Sequence, residues 1–160
     1  MEQNVNYIKI MIDSLQKKTT ILDKIIAVNE KQAEIIVNIK KNMVEYEASL
    51  DEKQLLIDEL NLLDDGFQAL YNRIQPEIVN NAEAHKDEIK EMQHYIALIT
   101  DKSVEVQNGE EKNRQVISQQ FALFKQEVKS FKANKKVTSQ YYNTMQQTNY
   151  IQPQFLDKKK

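Results

Sequence analysis

The chain has no cysteine, no tryptophan, two glycines and two prolines in 160 residues. Without cysteine there is no disulfide framework and no thiolate metal site. Four helix breakers are too few for a sandwich, a barrel or a series of βαβ units, which need a turn every few residues. Charge of one sign is also missing. The net charge is −2 and acids and bases alternate along the chain, so no basic face is available for a phosphate backbone and no nucleic-acid partner is expected. The start, MEQNVNYIKIMIDSLQ, has an acid and amides where a secretory signal needs a basic region, and no unbroken apolar run follows. No stretch reaches the length of a membrane span, so no stable membrane insertion is expected and a cytoplasmic location is.

What remains is hydrophobic content of 41% and charged content of 29%, the range of folded chains, arranged with helical period. Val5, Ile8, Ile12, Leu15, Leu22, Ile26, Ala33, Ile36 and Met43 follow a 3-4 spacing, with Thr19 and Asn29 as polar interruptions, and Ile25, Val37 and Ile39 widen the stripe. This predicts a first helix over 3–43. Leu56, Leu60, Leu63, Phe67, Leu70 and Ile74 repeat at 4-3-4-3-4, a seam for a second helix over 45–74. Asp64, Asp65 and Gly66 read as surface interruptions. Pro76 disfavours the helical conformation of Gln75, so the helix is expected to stop there and 75–84 to form the connection.

Ile89, Met92, Ile96, Ile99, Val106, Asn113, Ile117, Phe121, Phe124, Val128 and Phe131 carry a third stripe from about His85. Its middle, QNGEEKNRQ (107–115), is polar all round and contains Gly109. Either the helix breaks there, or it runs on where its partner helices have ended; the amphipathic turns on both sides favour continuity. The expected architecture is all-α: an elongated antiparallel three-helix bundle or coiled coil over 1–147, its long C-terminal helix spanning 85–147, with a flexible tail over 148–160. Such a rod buries little surface per residue, which fits modest stability, dependence on a partner, or a homo-oligomer.

No catalytic constellation emerges. Glu91 and His94 form a Glu-x-x-His pair of the kind found in di-iron bundles, but a di-iron centre needs two such pairs and further inward glutamates, and the chain has one. His85 and His94 are nine residues apart, which does not stack them on one helical face. The two glycines are isolated, so no phosphate loop exists. No metal, no cofactor and no enzymatic activity are expected.

The C-terminus, YYNTMQQTNYIQPQFLDKKK, is unusual for its aromatics. Val137, Tyr141 and Met145 share one helical face with Tyr142 beside it; Tyr150, Ile151, Phe155 and Leu156 follow around Pro153, without a period. These eight residues are the candidate partner-binding set, because aromatic anchors on a polar frame suit contact hot spots. The competing reading is that they fold back and cover the bundle.

The run EKQLLIDELNLLDDGFQALYNRI (52–74) resembles the second helix of FlgN-type flagellar export chaperones of clostridia, through Glu52, Lys53, Leu56, Ile57, Leu63, Asp64, Gly66 and Phe67. Lys102, Ser103, Val104, Val106, Gln107, Glu111 and Asn113 match a pattern of that family's third helix, and YYNTM with FLDKKK matches its tyrosine-rich end. The resemblance spans 45–160, and Gly109 departs from it. It implies a helical cytoplasmic chaperone that binds hook-associated proteins of the hook–filament junction through their C-terminal helical segments, prevents their premature assembly and delivers them to the flagellar export gate. A structural coiled-coil scaffold and a filament-cap chaperone are the alternatives.

Overall fold

The computed structural model describes residues 2–127. They form α1 (Glu2–Ile35), α2 (Met43–Asn80) and α3 (Lys86–Glu127), joined by single turns of 3-10 helix at Ile36–Asn38 and Ala82–His85. The architecture is the all-α three-helix bundle that the scarcity of breakers implies. α2 runs antiparallel to α1 and α3. α1 lies between the other two, which touch it far more than each other.

Its middle position explains the apolar stripe of α1. The heptad seam is Ile8, Met11, Leu15, Lys18, Leu22, Ile25, Asn29 and Gln32, continued beyond the helix end by Ile36 and Ile39, and all ten are buried. The seam expected from sequence shares only every second member with it: Ile12 and Thr19 are buried flanks, Ile26 and Met43 half-buried, and Val5, Ala33 and Val37 exposed. A helix packed on two sides needs a stripe wider than one seam, so two overlapping registers both looked correct.

α2 and α3 carry equally regular seams. In α2 it is Tyr46, Leu50, Lys53, Ile57, Leu60, Asp64, Phe67, Tyr71, Ile74 and Ile78, and in α3 Met92, Ile96, Ile99, Ser103, Val106, Glu110, Asn113, Ile117 and Gln120, each buried or half-buried. Spacing of 3 and 4 along all three helices is the requirement for knobs-into-holes packing.

Four boundary and surface expectations are corrected. α1 ends at Ile35, not at 43. No breaker marks the spot; side chains hold the turn. Asn42 Nδ2 donates to the Ile35 carbonyl at 3.3 Å, and Gln120 on α3 donates to the Ile36 carbonyl and, at 2.8 Å, to that of Val37, while its Oε1 accepts from Ile39 N–H at 3.2 Å. A glutamine from a neighbouring helix thus satisfies the orphan groups of this helix end.

α2 does not stop before Pro76. It continues to Asn80 with Pro76 inside it. The proline costs a hydrogen bond to Asn72, but both residues are exposed, so water can take that carbonyl, and Ile74 and Ile78 on the buried side carry the helix through. Capping comes later: Asn81 N–H donates to the Glu77 carbonyl and Asn81 Nδ2 to its carboxylate, both at 2.9 Å. That bond, with the nearby His85 ring at 3.4 Å, holds the Glu77 carboxyl below its usual value.

α3 is unbroken through Gly109, as favoured, but for a different reason than expected. The stretch 107–115 does not lie beyond its partners: Glu110 and Asn113 are buried against them. Gly109 marks a close approach of α3 to α1. A Cβ there would meet Asn29 Nδ2 at 3.2 Å and Asn29 Cβ at 3.3 Å. Asn29 is in turn fixed by Asn113 Nδ2, which donates to the Asn29 carbonyl at 3.0 Å. Finally, Asp64 is buried rather than on the surface face. The part of the expected third helix beyond 127 lies outside the described residues.

The two helical glycines should therefore respond differently to alanine. A Cβ on Gly66 meets nothing within 4 Å, so Gly66→Ala should stabilise the chain by about 0.5–1 kcal/mol through helix propensity. Gly109→Ala should gain nothing or lose stability, because the same propensity gain is opposed by crowding against Asn29. Urea unfolding followed by circular dichroism measures both.

Candidate functional site

All eight candidate partner-binding residues, Val137, Tyr141, Tyr142, Met145, Tyr150, Ile151, Phe155 and Leu156, lie outside the described residues. Within 2–127 two features stand out: polar groups inside the bundle, and apolar groups outside it.

The inside feature is a cross-section of the rod at which each helix contributes a polar side chain. Lys53 of α2 is 1% exposed and Glu110 of α3 is 3% exposed, and their ammonium and carboxylate are 2.5 Å apart. The same ammonium donates to Gln32 Oε1 of α1 at 2.6 Å. Gln32 Nε2 donates to Ser49 Oγ at 3.0 Å, and Ser49 Oγ donates to the Tyr46 carbonyl. One turn away, Asn29 and Asn113 bridge α1 and α3. Burial pulls the Lys53 pKa below its ordinary value of 10.5, and the Glu110 carboxylate opposes that shift. A second buried pair, Lys18 with Asp64 at 2.6 Å, joins α1 to α2 nearer the other end.

This polar layer separates two apolar clusters. The longer contains Leu15, Leu22, Ile57, Leu60 and Ile99; the shorter contains Ile36, Ile39, Tyr46, Leu50 and Ile117. Asp64, which reads from sequence as a surface interruption, and Glu110, in the stretch that reads as polar all round, are both buried. The signal was present at three positions: Lys18, Lys53 and Asp64 each occupy a seam position between apolar neighbours, while Glu110 follows Val106 and precedes Asn113 along its seam. Charges there are rarely chosen for stability, which is why Asp64 reads as a surface interruption.

The outside feature is on α2. Val44, Leu55 and Leu62 are 78%, 67% and 72% exposed. Beside Leu62 a shallow groove of about 430 Å³ runs between α1 and α2, with Ile21 and Leu63 in it and Lys17, Lys24 and Glu59 at its edges. A second groove between α1 and α3, of about 380 Å³, is lined by Asn29, Glu30, Asn108 and Lys112 together with Ile26 and Ala33.

His94 and Glu91 are exposed, and no group of three His, Asp or Glu side chains among the described residues is arranged to hold a metal. His85 faces Glu77 at 3.4 Å and belongs to the cap of α2. No described helix is long and apolar enough to cross a membrane.

Glu110→Ala should destabilise the chain by about 3–5 kcal/mol, because it leaves a buried ammonium without its counter-charge, whereas Lys53→Met with Glu110→Leu should be near neutral or stabilising. Lys53 binds its proton more weakly in the folded than in the unfolded state. The unfolded chain therefore holds more protons between those two pKa values, and stability from this group rises with pH across that window. In Glu110→Gln the window should widen downward. Urea midpoints from neutral pH to about pH 10 check both the sign and the widening.

Comparison of the chain with known protein families, with characterised proteins and with solved structures gave no match.

Proposed function

We propose that the chain is a cytoplasmic export chaperone of the FlgN kind, which holds the helical terminus of a hook-associated protein and delivers it to the flagellar export gate. One observation carries the reading: the α2 helix, within which the sequence resemblance is densest (52–74), shows solvent an apolar row, Val44, Leu55 and Leu62, that the described bundle leaves uncovered. An amphipathic helix laid on another is how such a terminus is masked before assembly. The bundle needs no cofactor for that task. The tail set from Val137 to Leu156 adds aromatic anchors at the chain's other binding element, for client or gate.

The test is affinity capture of the tagged chain from a flagellated host, with the co-purified protein identified by mass spectrometry. A hook-associated protein is expected. Deleting 138–160 should weaken that capture while leaving the urea midpoint of the bundle near that of the full chain, and Tyr141→Ala with Tyr142→Ala should act in the same direction. Capture of no flagellar protein, or unfolding of the bundle on deletion, would contradict the proposal.

A further inference from the structure

The exposed face of α2 has an internal order. Ala48, Leu55, Leu62 and Ala69 are seven residues apart and all exposed, Val44 lies on the same side, and Gly66 leaves open space between Leu62 and Ala69. With one such residue per heptad, this is a narrow outward apolar row, the outer seam of a helix already fully seamed on its inner side. From Val44 to Ala69 it extends about 38 Å.

Two rows of carboxylates flank it. On one side stand Glu45, Glu52 and Glu59; on the other Asp51, Asp58 and Asp65, again seven apart and all exposed. The rows are not equivalent. Two of the glutamates are turned to lysines of α1: Glu52 lies 3.7 Å from Lys31, and Glu59 shares a groove with Lys17 and Lys24. The aspartates have no ion pair among the described residues; Asp58 accepts one bond, from Gln54 at 2.9 Å.

We infer that this outward seam of α2 docks an amphipathic helix whose apolar stripe is bordered, on the side facing Asp51, Asp58 and Asp65, by lysine or arginine. Positions bordering a seam choose the partner by charge. The same charges disfavour a second copy of this chain. An antiparallel α2 pair sets the aspartate row against itself, and a parallel pair sets it against the glutamate row; like charges repel in both. The inference rests on the reading of the chain as a helix-binding protein but not on the flagellar assignment.

The probe is a synthetic helical peptide of about 25 residues, matched to the length of the seam, with leucine at heptad a and d positions and lysine at the flanking positions, fluorescently labelled. Its twin carries glutamate at the flanks. The full chain should bind the lysine peptide saturably at one to one and the glutamate peptide at least about tenfold more weakly. Leu55→Gln with Leu62→Gln, both exposed and so without cost to the core, should weaken binding by about tenfold or more. Asp58→Asn with Asp65→Asn should weaken it and flatten its dependence on salt. Equal binding of the two peptides, or no effect of the leucine changes, would overturn the inference. So would a dimer that dissociates on the leucine changes, which makes the face a contact between copies. Failure to bind either peptide would overturn it as well, including the case in which the chain's own Lys129, Lys132, Lys135 and Lys136 compete for the aspartates. Peptide binding without capture of a flagellar client would refute the export assignment alone.

Discussion

The ammonium of Lys53, closed in by Glu110 and Gln32, is the contact on which the arrangement of the three helices depends. The single ammonium on α2 is bonded to both other helices at once, to Gln32 of α1 and Glu110 of α3. Removing a lysine and a glutamate from water costs several kcal/mol per ion, and only a close, fully bonded geometry returns that cost. Alignments that separate the two lose the return and keep the cost. A leucine layer would discriminate far less, since an apolar seam shifted by one heptad still buries leucine on leucine. The polar layer is a device for uniqueness more than for stability.

Other features line up with that layer. Asn29 and Asn113 sit one turn from it and draw α3 close to α1, which is why position 109 is a glycine. Toward the near end of the rod, Gln120 on the α3 seam caps α1 and so fixes the turn into α2. Toward the far end, Lys18 and Asp64 repeat the solution between α1 and α2. Lys18 and Asp64, Gln32, Lys53 and Glu110, and Asn29 and Asn113 each answer one another across neighbouring helices. Specificity is therefore spent on the inner seams, and the outer seam of α2, which carries leucine and no buried partner, is left for an external contact.

Helix content, helix number and continuity through Gly109 were legible in the chain because they follow from periodicity and from the rarity of breakers. Boundaries were less so. The end of α1 is set by Gln120, a residue some eighty positions distant, and the passage of α2 through Pro76 by burial of Ile74 and Ile78; neither contact leaves a local trace. The α1 seam was half right because a helix packed on two sides offers two registers. Lys53 and Asp64 were read as features of a family pattern and a surface face, when their place between apolar seam neighbours already put them inside. The outward row at Leu55 and Leu62 was hidden by the stronger inner row of the same helix.

The account's central claim is that buried polar groups hold α3 in one register. A chain without native cysteine allows a direct measurement. Asp23 and Lys102 face each other across α1 and α3, 2.5 Å apart at their charged ends. With cysteines at these two positions, a short thiol cross-linker should join them in a single product, and the pair Asp23→Cys with Tyr95→Cys, one heptad away, should not react. In a background of Lys53→Leu, Glu110→Leu and Asn113→Leu, both pairs should cross-link as α3 samples neighbouring registers. If the all-leucine background still joins 23 to 102 alone, the polar layer does not set the register and the claim fails.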